Sequence, residues 1–199
     1  MVNREFLYAT GACGLAAPFT FFAAVIIAGL LRPGYDHVTQ PVTVLGTMND
    51  PASVIMLLVG FAATGGLIAL LSIGVYLDLK TSPVAKGALT VVLFIAGVAL
   101  FLTGVFLWSP TDDLSSTMMS VTGAALGLAP LIAALVFRQD VHWKPFWAFS
   151  LLIALIVLAF FALFTAGTAP NYNGLIQRVY LGAALVWAGT VGYWILRWV

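Results

Sequence analysis

Charge is what this sequence has least of. Asp, Glu, Lys and Arg make up 8% of its 199 residues, where an ordinary soluble domain carries about 25%. Hydrophobic residues make up 62% and mean hydropathy is +1.09, so the chain reads as an integral membrane protein. Eight basic residues stand against seven acidic ones with no basic run. Nothing here would neutralise a row of phosphates, which argues against nucleic acid as a partner. The single cysteine, Cys13, cannot close an internal disulfide, and within an apolar run it behaves as a small hydrophobe.

What the sequence does have is long apolar runs. A spanning helix needs about 20 apolar residues. Six apolar runs of that length, uncharged but for Arg178 in the last, lie over residues 9–31, 53–77, 87–108, 117–137, 146–166 and 175–196. Each is far longer than the about 10 residues of a barrel strand, so the fold class is all-α, an integral membrane bundle of six transmembrane helices. The first run outlasts the apolar stretch of a signal peptide and reads as a retained helix. Short connectors make neighbouring helices antiparallel and place residues 1–199 in one domain.

The punctuation marks helix starts. Asn49-Asp50-Pro51, Ser82-Pro83 and Lys144-Pro145 each put proline where a first turn has no use for an N–H. Pro18 and Pro130 fall inside helices 1 and 4 and should bend them. Small residues four apart, Ala62/Gly66 in helix 2, Gly123/Gly127 in helix 4 and Ala184/Ala188 in helix 6, allow close helix packing.

Lys and Arg set the orientation. Arg4, Lys80, Lys86, Arg138, Lys144 and Arg197 gather at one end of the helices, and Arg32 and Arg178 at the other. The positive-inside rule then puts both termini in the cytoplasm of a multi-pass cell-membrane protein. Tyr8, Tyr76, Trp143, Trp147, Trp194 and Trp198 mark the inner boundary; Tyr35, Trp108 and Tyr172 mark the outer one.

Polar residues concentrate in three outer segments, led by LLRPGYDHVTQPVTVLGTMNDP at 30–51. Pro33, Pro41, Gly34, Gly46, Val42, Val44 and Leu45 predict that this stretch is ordered and folds back over the bundle mouth. Within the spans the only charge is Arg178, near the outer edge. That scarcity argues against pumps, ion-coupled transporters and voltage sensors, which hold charges at membrane depth. Arg32, Asp36, His37 and Arg138, Asp140, His142 follow helices 1 and 4 in the same order, a faint hint of an inverted repeat.

His37 and His142 lie on opposite faces and cannot share one ion, which removes a transmembrane haem pair; no cofactor is expected. A metal site of Asp36, His37, Asp112 and Asp113 stays open on the outside, against a plain solvated turn before helix 4. Hydrolysis would need His37 with Asp36 or Asp112, and a nucleophile found only by location among Ser109, Ser115 and Ser116.

Arg178 has two fates. It can snorkel to the headgroups, or point inward and pair with a carboxylate. Residues 174, 178, 182, 185 and 189 share a face rich in glycine, which favours the inward position and a clasp with Asp36 or Asp112. Asp50 is better placed to cap helix 2.

Several short motifs carry a resemblance. Tyr35-Asp36 with Gln40 and Leu45-Gly46, Pro110 with Asp112, and Gly174-Leu175-Ile176-Gln177-Arg178 with Trp187 fall in the order and helix positions of the domain-of-unknown-function 998 family of bacterial and archaeal membrane proteins. The chain resembles that family along nearly its whole length. Thr43 stands where members often have serine, and the start of helix 4 lacks the histidines many relatives carry, which weakens metal and proton-relay readings. The first outer loop is also distantly similar to that of the damage-regulated autophagy modulator group, a likeness that points to lipids. The expected site is Tyr35, Asp36, His37, Gln40, Asp112, Gln177 and Arg178, binding a lipid headgroup, a small amphiphile or a partner membrane protein. The alternative is an outward-facing enzyme on a lipid-linked substrate through Asp36, His37 and Asp112.

Overall fold

The computed structural model describes residues 4–47, 50–107 and 112–198, excepting the side chains of Asp112 and Asp113. Among these, six helices are long and apolar enough to cross a membrane. They are α1 (Arg4–Leu31), α2 (Pro51–Asp78), α3 (Pro83–Leu107), α4 (Asp112–Phe137), α5 (Trp147–Ala166) and α6 (Asn173–Trp198). The protein is an all-α, multi-pass membrane bundle. Most helices outrun their apolar stretch, because polar first turns such as Arg4-Glu5 can still be helical at a membrane surface.

Proline starts the helices as the sequence indicates. Asp50 caps α2, its carboxylate accepting the Ser53 N–H at 2.7 Å while the Ser53 hydroxyl accepts the Asp50 N–H at 3.2 Å, with Pro51 next. The Ser82 hydroxyl accepts the Ala85 N–H at 3.2 Å beside Pro83. Pro145 sits in a 3₁₀ turn, Lys144–Phe146, leading into α5.

Helix α2 departs from regular geometry. A π-helical stretch, Met56–Ala63, interrupts it, and the Thr64 hydroxyl donates to the Val59 carbonyl five residues back at 3.1 Å. Each wide turn admits an extra residue and rotates the rest of the helix about its axis, so counting in steps of four fails across it. The close approach to α3 falls on Gly65, not on Gly66. A Cβ on Gly65 would lie 2.5 Å from the Gly97 carbonyl oxygen, whereas one on Gly66 would meet open space. The other small-residue pairs pack inside the bundle: Gly123 and Gly127 receive Phe161 and Leu158 of α5, and Ala184 and Ala188 are fully buried.

Helices α1 and α6 pack antiparallel along a small-residue seam. Gly192 meets Gly11, Gly189 meets Pro18 and Gly182 meets Phe22, which brings the start of α1 and the end of α6 to one end of the bundle. At that end Asp140 is buried, its carboxylate accepting the Lys80 N–H at 2.7 Å and the His142 N–H at 2.9 Å. Asp78 accepts the Trp143 indole N–H at 2.8 Å. Asp140 thus stitches two connectors together, while Asp36 at the far end is exposed, so the two Arg-Asp-His sets do different work.

Candidate functional site

The segment after α1 is a folded cap. Val42–Gly46 form a 3₁₀ turn whose Val42 and Leu45 side chains are fully buried. Arg32, itself buried, holds this turn from one end. Its Nη1 donates to the Val44 carbonyl and its Nη2 to that of Leu45 at 3.2 Å. Nη2 and Nε also reach the Asp50 carboxylate at 3.0 and 3.2 Å. Partial burial pushes the Asp50 carboxyl up, but the Ser53 N–H and the Arg32 guanidinium outweigh it and hold it below the ordinary carboxylate value. Asp50 caps α2 and anchors Arg32 at once.

Arg178 holds the cap from the other side. Its Nη1 donates to the carbonyls of His37 (2.6 Å), Gly174 (2.8 Å) and Gln40 (3.1 Å). Its Nη2 reaches the Tyr35 hydroxyl at 2.5 Å and His37 Nδ1 at 3.2 Å. The Tyr35 hydroxyl shares its proton between the Gln40 and Pro41 carbonyls at 3.1 and 3.0 Å. Burial holds that phenol above its ordinary value against the pull of the nearby guanidinium, so it keeps its proton. The Val38 carbonyl also accepts the Leu175 N–H at 2.9 Å, which satisfies a first-turn donor of α6.

The expected carboxylate clasp is not formed with Asp36. That side chain is exposed and accepts the Val38 N–H at 2.9 Å and the Thr39 hydroxyl at 2.8 Å, bonds that lower its pKa. Five donors in a planar fork fit a ring of backbone carbonyls as well as a carboxylate, and the loop supplies that ring. Arg178 does face the cap and not lipid, as the glycine-rich face of α6 implies. The Asp112 side chain lies outside the described residues, as does that of Asp113.

Gln177 turns the other way. It is fully buried, and its Oε1 accepts the Val42 N–H at 2.6 Å. That bond fixes the amide orientation, so Nε2 must point elsewhere. It meets no hydrogen-bond partner among the described residues. It lines a cavity of about 300 Å³ beneath the cap, with Thr43 and Thr47 from the cap and Ser115, Ser116 and Ser120 from α4. Leu107, Met119, Phe161 and Phe164 form its apolar wall. Tyr180, one turn below Gln177, is fully buried, and its hydroxyl also meets no hydrogen-bond partner among the described residues.

The family model described as "Protein of unknown function (DUF998)" matches residues 15–194. The chain belongs to this family. No curated protein and no solved structure matches it.

In this family member the predicted site residues divide between two tasks. Tyr35, His37, Gln40 and Arg178 bond one another, and Asp36 folds its own turn. His37 Nδ1 is engaged by Arg178, so Asp36 and His37 are not coupled as base and orienter. Among the described residues no three His, Cys, Asp or Glu side chains converge as a metal site would require. Of the described side chains in the set, Gln177 alone lines the cavity. Sequence reasoning missed Thr43, Thr47, Phe161, Phe164 and Tyr180 there, because each looks like ordinary loop or core. A usable signal was present: Gln177 and Tyr180 are three apart on one helix face, polar groups inside a span.

Proposed function

We propose that this membrane protein binds an amphiphile in the cavity under its cap, without catalysis. The observation that carries this reading is the Gln177 amide, fully buried and fixed by the Val42 N–H, whose Nε2 meets no hydrogen-bond partner among the described residues while the residue borders a cavity. A buried donor without a partner costs about 1–3 kcal/mol, a cost that a bound acceptor removes. The hydroxyl-rich upper lining and apolar lower wall match a molecule with a polar head and an apolar body. The Lys and Arg distribution supports an outward-facing cap in the cell membrane. The clasp of Arg178, Tyr35 and His37 then serves as the roof that keeps Val42, Thr43 and Thr47 in place.

Native mass spectrometry of the detergent-purified chain tests this. Wild type should retain one amphiphile per chain that Ser120→Trp, which plugs the cavity from an exposed position, does not retain. Equal retention by both would overturn the proposal.

A further inference from the structure

Resting on that reading, we infer that the ligand is an uncharged, hydroxyl-bearing lipid with a carbonyl oxygen, taken sideways from the bilayer between α4 and α5. Gln177 Nε2 can only donate, so the ligand must present an acceptor. A Gln177–Tyr180 bond would use one of the two N–H groups and leave the other. The opposite demand comes from Thr47 and Ser120. Their hydroxyls donate to the carbonyls of Val44 and Ser116 at 2.9 Å each, leaving only lone pairs for a ligand hydroxyl. An ester carbonyl next to a free hydroxyl meets both.

Charge selects further. None of the residues lining the cavity is charged; Arg32 is paired with Asp50, and the Nη1 and Nη2 groups of Arg178 are spent on cap carbonyls, Tyr35 and His37, its Nε meeting no partner among the described residues. A carboxylate or phosphate head would lose water there without gaining a counter-charge.

The route is set by exposure. Ser116 and Ser120 line the cavity yet are exposed, one turn apart on the outer surface of α4. Ser120 is eight residues into a helix that starts at Asp112, about 12 Å at 1.5 Å per residue, so the mouth lies along the span and not at its tip. Facing it is α5, the least buried helix, with 22% of its window buried against 61% for α4. Half-buried Phe161 and Phe164 form that edge. About 300 Å³ holds a head and a few carbons, so an acyl chain would leave past the exposed Ser116 and Ser120 into lipid.

The test titrates 1-monooleoylglycerol into the full-length protein in maltoside micelles and follows Tm, with oleate, lysophosphatidylglycerol and free glycerol monoacetate as matched probes. Monooleoylglycerol should raise Tm and bind about tenfold more tightly than either anion, whose charged head would lose water without gaining a counter-charge. Gln177→Leu should weaken monooleoylglycerol binding about tenfold, the worth of one well-made buried hydrogen bond, and Ser120→Leu should remove binding altogether. Anions binding as well as the neutral lipid would overturn the headgroup assignment while leaving amphiphile binding intact. Glycerol monoacetate binding equally well would overturn the lateral route. No shift with any probe, in wild type and Ser120→Leu alike, would overturn the amphiphile reading itself.

Discussion

Nη2 of Arg178 lies 3.2 Å from Nδ1 of His37, and because a guanidinium only donates, that ring nitrogen carries no proton. The imidazole stands edge-on to Tyr35 with ring centres 5.0 Å apart, and covers Gly29 of α1. Burial and the Arg178 cation lower the His37 pKa, and Asp36 opposes them. A histidine with a depressed folded pKa contributes its stability fully above its unfolded value, about 6.5, and loses it as pH falls through the folded value. Tm should therefore drop on acidification below about pH 6.5. His37→Gln, which can still accept from Arg178, should flatten that part of the profile; an unchanged slope would count against the contact.

Arg178 and Asp36 should respond independently. Asp36→Asn keeps an acceptor for the Val38 N–H, replaces the oxygen that accepts from the Thr39 hydroxyl, and should lower Tm only slightly because the side chain is exposed and outside the Arg178 ring. Arg178→Leu strips the ring of carbonyls of its donor and should cost about 2 kcal/mol, or about 4–8 °C for a chain of this size. A double variant in which Asp36→Asn rescued Arg178→Leu would restore the carboxylate clasp that the sequence suggests.

Asp50→Ala removes the α2 cap, at about 1 kcal/mol, and also strands Arg32. Asp50→Asn retains the oxygen that accepts the Ser53 N–H but sets an NH2 against the Arg32 guanidinium, so it keeps the cap and loses the ion pair. The alanine variant should melt lower than the asparagine variant, and the gap between them reports the cap.

Gly174 lies beneath the cap so closely that a Cβ would sit 2.4 Å from the Gln40 oxygen and 2.7 Å from that of His37. Both are backbone atoms that Arg178 holds in place. Gly174→Ala should cost about 1–3 kcal/mol and speed amide exchange over residues 37–42. Wild-type exchange in that variant would mean the loop yields without strain.

Topology is accessible to labelling. In a Cys13→Ala background, a cysteine at Asn173 should react with a membrane-impermeant maleimide from outside intact cells, and one at Gln139 should react only after permeabilisation. The reverse pattern would invert the orientation drawn from Lys and Arg.

By itself, the sequence determined the six spans, the all-α class and the helix starts at Pro51 and Pro83. A water-free interior forces backbone groups to pair within each segment, so length and apolarity alone specify a helix. Glycine on the Arg178 face of α6 also showed which way that residue looks, since only small residues permit close approach. The partners of Arg178 were decided by tertiary structure, because backbone carbonyls occur at every position and leave no mark in residue type. The dual use of Asp50 and the opposite turning of Gln177 and Arg178 depend on how the 32–50 segment folds across two helix ends. The close approach of α2 to α3 falls on Gly65 and not on Gly66, because the way the two helices pack selects one of two adjacent glycines. The cavity too is a product of packing: serines, phenylalanines and one tyrosine from distant helices acquire a shared purpose only when α4, α5 and α6 stand around the buried amide of Gln177.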